Sequence, residues 1–581
     1  MKWAAVLLAT ALVAGVAQAQ VASPTSEWLP QPSASGNVVS AASASPNPQW
    51  VNVLGSNLYY YDAQRAGVLP QDFRVDWRND SVLDDGQDVG VDLSGGFFDA
   101  GNFIKVLLPL TYTLNSIMEP ALLWGEAFTS AQQNYYLDET LRNGLNWIMN
   151  ASSQTDTLHM FVGTDIAYWG GDQGIPSDRP TYSVTRDNPG TDVFAAAAST
   201  LSMASMLYQG YPLPFTQTAN GTLPSELQDT NYANELSQRA VSLLNLAFEA
   251  TPRQVYQEAV PAVDWAYPSS DYDDELILAS AYTAMATGNI SWVTTAIDSY
   301  SLASPAYPPT YGALNWDSKA AEAAPALARL ALAMPGSDSR LNFTRFQVDS
   351  EVWLDNLVSG TMQDTYTTLG GLFWFRGYSS SASLNPALNA AVLCLKWAPL
   401  ASTQDKRTSY LDFARRQIDY ALGKNPLNTV YQVGLHPNSP INPHSALAAG
   451  GGSLSTINTV PKVPLHVLYG AVVGGPNADD DYYDLRDDYD QSEPALDTVS
   501  PMVAISSWFV SQGSNAEDPF YVGLTAPRIV SEVPSNGLSG GAIAGIVIGV
   551  LAAVVILALL AWLLWRRRGG REAIRRRKMG L

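Results

Sequence analysis

The chain has 581 residues, 46% of them hydrophobic and only 15% charged, with a formal net charge of −22. Such hydrophobic content excludes a globally disordered chain, and the negative balance argues against a nucleic-acid partner. One cysteine, Cys394, and four histidines leave no material for an intrachain disulfide framework or a Cys/His zinc cluster.

In chain order, residues 1–19 read as a secretory signal peptide. Lys2 gives the positive start, Ala4–Ala14 the apolar stretch and Ala17-Gln18-Ala19 a small-x-small cleavage site. Residues 20–48, rich in Ser, Pro and Ala, read as a flexible lead-in. Residues 49–512 have no comparable break and read as one mostly helical domain. Helical stripes run through Leu141, Leu145, Ile148 and Met149, and through Leu411, Ala414, Ile418 and Leu422. Further helices are expected over Asp192–Tyr208, Tyr232–Glu249, Asp274–Thr287, Ser318–Met334, Pro386–Trp397 and Pro494–Val510. Many helices joined by long loops, with little strand signal, suggest a toroid of helical hairpins whose loops are functional. Residues 513–541 read as a polar linker. Residues 542–565 carry no charge and are long enough to cross the bilayer as a helix. Residues 566–581 form a basic tail of the kind that faces the cytoplasm. Together these signals predict a single-pass membrane protein of the secretory pathway, with its bulk outside the cell. Setting aside Lys2 and the tail leaves 23 bases against 53 acids, so the outer part carries a charge near −30. Five Asn-x-Ser/Thr sites lie in it, at Asn79, Asn150, Asn220, Asn289 and Asn342.

Two acid-rich segments carry the chemistry. Trp77–Lys105 interleaves Asp80, Asp84, Asp85, Asp88, Asp92 and Asp99 with glycines. Calcium prefers oxygen ligands of this kind, but the spacing is not that of a helix-loop-helix calcium loop and defines no ligand set, so no cofactor is expected, with calcium near the acidic loops left open. Asp479–Asp497 places Glu493 just before a helical run, among carboxylates that favour retention of its proton. Two distant carboxyl sites, aromatic side chains and long loops are the parts of a glycoside hydrolase.

The residues resemble glycoside hydrolase family 9, the inverting cellulases built on an all-α (α/α)6 barrel. Tyr61–Pro70 (Y-D-A-Q-R-A-G-V-L-P) resembles the family's opening E-A-Q-R-S-G-x-L-P, and Trp77–Asp99 follows the family pattern nearly residue for residue. Asn188–Asp192, Asp274–Leu276, Leu314–Asp317, Gly370–Phe375 and Gln417–Pro426 resemble later blocks. Tyr482-x-Asp484-x4-Tyr489-x3-Glu493-x-Ala495 resembles the signature around the family's acid. The resemblance implies an endo-β-1,4-glucanase acting on cellulose or β-glucan. Glu493 would be the general acid, Asp99 would hold the attacking water, and His444, Asp484, Tyr489 and Trp316 would contact sugar. Three positions depart from the pattern. Asn102 stands where the family has its usual base, Ala446 replaces an arginine, and Val499 replaces an asparagine. They motivate an alternative, a catalytically impaired member that binds glucan at the cell surface. His159, His466 and Cys394 are read as structural, and Lys105 and Arg486 as partners of neighbouring acids.

Overall fold

A helix that buries one side carries an apolar stripe, whereas a helix buried all round does not; both kinds alternate along this chain. The computed structural model describes residues 21–31, 44–164 and 168–533. Among them, twelve helices of thirteen residues or more build the fold. They are α1 (Pro48–Gln64), α2 (Leu107–Trp124), α3 (Asn134–Ala151), α4 (Thr191–Gln209), α5 (Thr230–Glu249), α6 (Asp273–Thr287), α7 (Ile290–Leu302), α8 (Ala320–Ala333), α9 (Phe343–Ser359), α10 (Leu384–Trp397), α11 (Gln404–Ala421) and α12 (Leu496–Ser511).

The even-numbered helices form an inner ring and the odd-numbered ones an outer ring, giving an (α/α)6 barrel. Inner α4 is buried at every position from Thr191 to Tyr208, and α10 along its whole length. Alanine and serine dominate α4, so its neighbours approach closely. Outer α5 shows the other pattern: Tyr232, Leu236, Ala240, Leu243 and Ala247 are buried, and the opposite face is wet. Five of the six outer helices begin on side-chain caps. Asn47, Asp229, Asn289, Asn342 and Thr403 each accept a first-turn backbone N–H. Two of these caps, Asn289 and Asn342, belong to Asn-x-Ser/Thr sites.

Each outer-to-inner connection is long, and all six lead into the N-terminal ends of inner helices. One contributes β1 (Lys105–Val106), which pairs antiparallel with β2 (Thr157–Val162), and β2 pairs with β3 (Thr181–Thr185) in the order β1-β2-β3. This sheet ties the glycine-rich loop before α2 to the loop before α4. A hairpin of β4 (Thr365–Thr367) and β5 (Phe373–Phe375) precedes α10.

The polar stretch expected as a linker from Gly513 follows the domain as far as Val530. Trp50 Nε1 donates to the Glu517 carbonyl at 2.7 Å, and Ile529 N–H to the Leu427 carbonyl at 2.8 Å. The expected signal peptide 1–19, the expected membrane span 542–565, the basic tail 566–581 and residues 20 and 32–43 of the expected lead-in lie outside the described residues. Among the described residues no helix is long and apolar enough to cross a membrane.

Candidate active site

Most carboxylates of the glycine-rich loop hold the loop itself. Asp85 pairs with Lys105 at 2.9 Å and Arg179 at 2.6 Å. Lys105 Nζ also donates to the carbonyls of Leu93, Ser94 and Gly95. Burial pulls this lysine down to about 8. Asp88 accepts from Thr181 and Asp92 from Ser94, and the described residues contain no His/Cys/Asp/Glu group that could hold a metal. Lys105 thus pairs as expected. Arg486 does not: its guanidinium is buried and donates to the Pro461 carbonyl at 2.5 Å, with no ion pair to an acid. Its carbonyl is bound to the His444 ring instead.

Asp99 stands apart from the other acids of the loop. It is 1% exposed, and neither carboxyl oxygen has a protein hydrogen bond. The Tyr267 phenol faces it without hydrogen-bond geometry. The backbone on both sides is clasped to the Glu493 segment. Gly101 N–H donates to Glu493 Oε1 at 2.9 Å, and Leu496 N–H donates to the Asp99 carbonyl at 2.9 Å. The Tyr61 hydroxyl holds the Leu496 carbonyl at 2.8 Å. Gln64 Nε2 holds the carbonyls of Phe98 and Ala100. Residue 101 must be glycine, because a Cβ there would lie 2.3 Å from the His444 carbonyl and 2.8 Å from Glu493 Oε1. Acid and turn therefore meet because a side chain is missing between them.

Burial raises all three carboxyls at this centre. It acts first on Asp99, and the neighbouring Asp497 and Glu493 add to it. Burial also raises Glu493, with the His444 ring and the Gly101 amide pulling the other way. Asp497, in the first turn of α12, is pushed up to about 7 by burial, against the pull of backbone amides and Asn385 Nδ2 at 3.1 Å. Sequence reasoning passed over Asp497, although it lies four residues from Glu493 in the same segment.

His444 Nε2 is 3.9 Å from Glu493 Oε1, and its Nδ1 is fixed by the Arg486 carbonyl. Trp169 packs edge-on against it at 4.7 Å, and the exposed Tyr489 ring lies 6.4 Å away. Trp316 is half-buried and meets Tyr267 edge-on at 4.9 Å. Tyr267 has φ +56°, a left-handed backbone that is strained for a bulky residue. Its carbonyl is held by the Tyr256 hydroxyl at 2.5 Å. Trp169 and Tyr267 were not singled out from sequence, since each sits in an aperiodic loop. Asp484 is committed to protein partners. It is buried, accepts from the Ile441 and Asn442 amides at 3.1 Å, and pairs with Arg528 at 2.9 Å. It supports the His444 loop from beneath. Asn102 is half-buried, with its side-chain oxygen accepting from Ile104 N–H at 3.3 Å. Ala446 is sealed in an apolar cluster with Phe98, Phe103 and Trp169, and Val499 is fully buried. His159 bonds Ser183 Oγ, His466 stacks on Trp77 at 4.8 Å, and Cys394 is a core residue.

The model of the family described as glycosyl hydrolase family 9 matches residues 50–506. Endoglucanase A of Bacillus pumilus is 33% identical over 458 residues, covering 77% of this chain and 64% of that protein, so the chain spans less than two thirds of this relative's length. The structure of an endoglucanase from the termite Nasutitermes takasagoensis is similar with a TM-score of 0.69 at 28% identity, covering 80% of this chain and 99% of that one. Endoglucanase CelQ from Clostridium thermocellum, complexed with cellobiose and cellotriose, has a TM-score of 0.67 at 25% identity, covering 83% of this chain and 74% of that one.

Proposed function

The chain belongs to glycosyl hydrolase family 9, and from that premise we propose that it is an inverting glycoside hydrolase that cleaves β-1,4-glucan internally, with Glu493 as general acid and Asp99 as general base. The observation that carries this reading is the clasp in which the turn following Asp99 donates a backbone N–H to Glu493 Oε1. It joins the segment that carries Asp99 to the Glu493 carboxyl, so that two ionisable carboxyls share one region of the fold. Partial burial raises Glu493, the direction that suits a group that must protonate the leaving oxygen. His444, 3.9 Å from it, is placed to bind sugar beside the bond that breaks. Asp99 takes the proton of the attacking water, and inversion needs about 6.5–9.5 Å between the two carboxyls to admit that water. Asn102 orients the water, because an amide offers hydrogen bonds but no basic oxygen. Trp316 and Tyr489 present aromatic faces of the kind on which sugar rings stack. The endoglucanase names of the relatives and the cello-oligosaccharides in CelQ favour a linear β-glucan.

The domain is placed outside the cell, anchored through residues 542–565. Support for this comes from the signal-like residues 1–19 and the basic residues 566–581. Protease added to intact cells then removes the domain and spares the tail.

A second reading, a glucan-binding protein of weak turnover, is favoured by the side-chain oxygen of Asn102, which is turned to its own backbone. The test between them is reducing-end release from a soluble β-1,4-glucan by the purified full-length chain beside Glu493→Gln. The hydrolase reading expects release that the variant lowers by about 10²–10⁴-fold. Equal silence of the two rejects it.

A further inference from the structure

The loop that carries His444 cannot hold itself. Pro440 and Pro443 have no N–H to give, so between Ser439 and His444 the backbone donors are the amides of Ile441 and Asn442. Both go to one side chain: Asp484 Oδ2 accepts from Ile441 and Oδ1 from Asn442, each at 3.1 Å. Among the described residues the cation that pairs with Asp484 is Arg528, whose Nη2 lies 2.9 Å from Oδ2. The same guanidinium donates through Nη1 to the Ser439 carbonyl at 3.2 Å, at the start of the loop. One planar fork thus grips both the loop and the carboxylate that carries it. At its other end the loop is tied to the acid segment, since His444 N–H donates to the Ser492 carbonyl at 2.9 Å, next to Glu493.

Arg528 belongs to the strap after α12, beyond residue 506, where the family match ends. The strap is itself anchored on both sides of Arg528. Asn438 Nδ2 holds the Ala526 carbonyl at 2.8 Å, Asn428 Nδ2 holds the Pro527 carbonyl at 3.1 Å, and Ile529 N–H donates to the Leu427 carbonyl at 2.8 Å. We propose that Arg528 is a positioning residue for the reaction: from this strap it fixes Asp484 and the Ser439–Pro443 loop, so that the His444 ring stands 3.9 Å from Glu493 Oε1. The inference rests on the reading of Glu493 as general acid with His444 beside it. An exposed ion pair would add little. This one is nearly closed to solvent, with the Arg528 side chain 17% exposed and that of Asp484 5%. Removing one partner leaves the other buried without a counter-charge, and the loop that hangs on Asp484 must move.

Arg528→Gln removes the charge and the fork. In the full-length chain, well below its unfolding transition, kcat/KM on soluble β-1,4-glucan is expected to fall about tenfold, the scale of a small misplacement at a reacting centre. Arg528→Lys keeps a charge beside Asp484 and is expected to recover part of the loss. Asp484→Asn is expected to cost as much as Arg528→Gln, and the double variant no more than either, because the two side chains act as one unit. A strap that only holds the barrel together would lower the melting temperature and leave kcat/KM of the folded protein unchanged, and that result overturns the proposal. A second readout needs no activity. The chain has four histidines, so the carbon-13 ring signal of His444 is identified with His444→Gln, and Trp169 at 4.7 Å makes that signal sensitive to ring position. It is expected to move in Arg528→Gln while those of His159 and His466 stay. An unmoved His444 signal overturns the proposal. If the parent releases no sugar, the hydrolase reading fails by itself, and the His444 signal alone decides whether Arg528 positions the ring. Should Arg528→Gln unfold, Arg528→Lys decides by the same signal, because an ammonium cannot grip Asp484 and Ser439 together as the fork does.

Discussion

Residue 102 determines how much of the chemistry falls on Asp99. Its amide oxygen accepts from Ile104 N–H, so it is half committed to the turn it stands on. Asn102→Asp adds a carboxylate beside the attacking water without changing the size of the side chain. We expect kcat to rise, by at most the roughly 10²–10⁴-fold that a positioned base contributes, as read from initial rates on soluble β-glucan. A silent parent that stays silent after this change is the outcome the glucan-binding reading expects. Much of the site is legible from spacing. Glu493, Asp99 and His444 stand in contiguous motifs, and the fold brings them together. Asp484 stands in the same kind of motif yet braces a loop, because motif spacing marks a required residue without saying whether it faces ligand or backbone. Tyr267 is illegible for another reason. Its importance comes from the buried carboxyl that it faces across the fold.

At the scale of elements, α8 and α10 meet through a polar seam. Lys396 on α10 donates to Glu119 on α2 and to Glu322 on α8, both at 2.5 Å. Arg329 on α8 reaches the Lys396 carbonyl at 2.8 Å. One lysine thus pairs with two carboxylates from two inner helices, and the Arg329 guanidinium acts on both. Lys396→Met removes the ammonium that bonds both acids and is expected to cost about 3–5 kcal/mol in denaturant unfolding. A loss below about 1 kcal/mol would show that the seam is incidental. The inner helices also explain what the sequence conceals. The stripes of α3 and α11 and the extents of α5 and α6 are readable, and the structure places helices there within a few residues. Helix α2 is almost wholly buried, carries Pro109 and Pro120, and shows no apolar face because nearly all its faces are covered. Without a polar side there is no period to detect.

At the scale of the molecule, the acidic balance of −22 and the buried carboxyls act in the same direction. Burial pushes Asp192 and Asp497 up to about 7, and raises Asp99 and Glu493 above their usual range. Such groups bind protons more tightly folded than unfolded. Their stabilisation is complete below about pH 4, where both forms are protonated, and is lost as pH rises through the folded values near 7. The melting temperature of the full chain is therefore expected to fall by roughly 3–6 °C between pH 5 and pH 8. A melting temperature that climbs over that interval would contradict the assignment of these carboxyls. The central claim, that Glu493 and Asp99 work as acid and base on opposite sides of one bond, is tested most directly by the first product formed. Proton NMR of cellohexaose during early hydrolysis by the full-length chain should show the α-anomer appearing ahead of mutarotation, with its formation lost in Asp99→Asn. Initial release of the β-anomer, or undiminished turnover by Asp99→Asn, would contradict it.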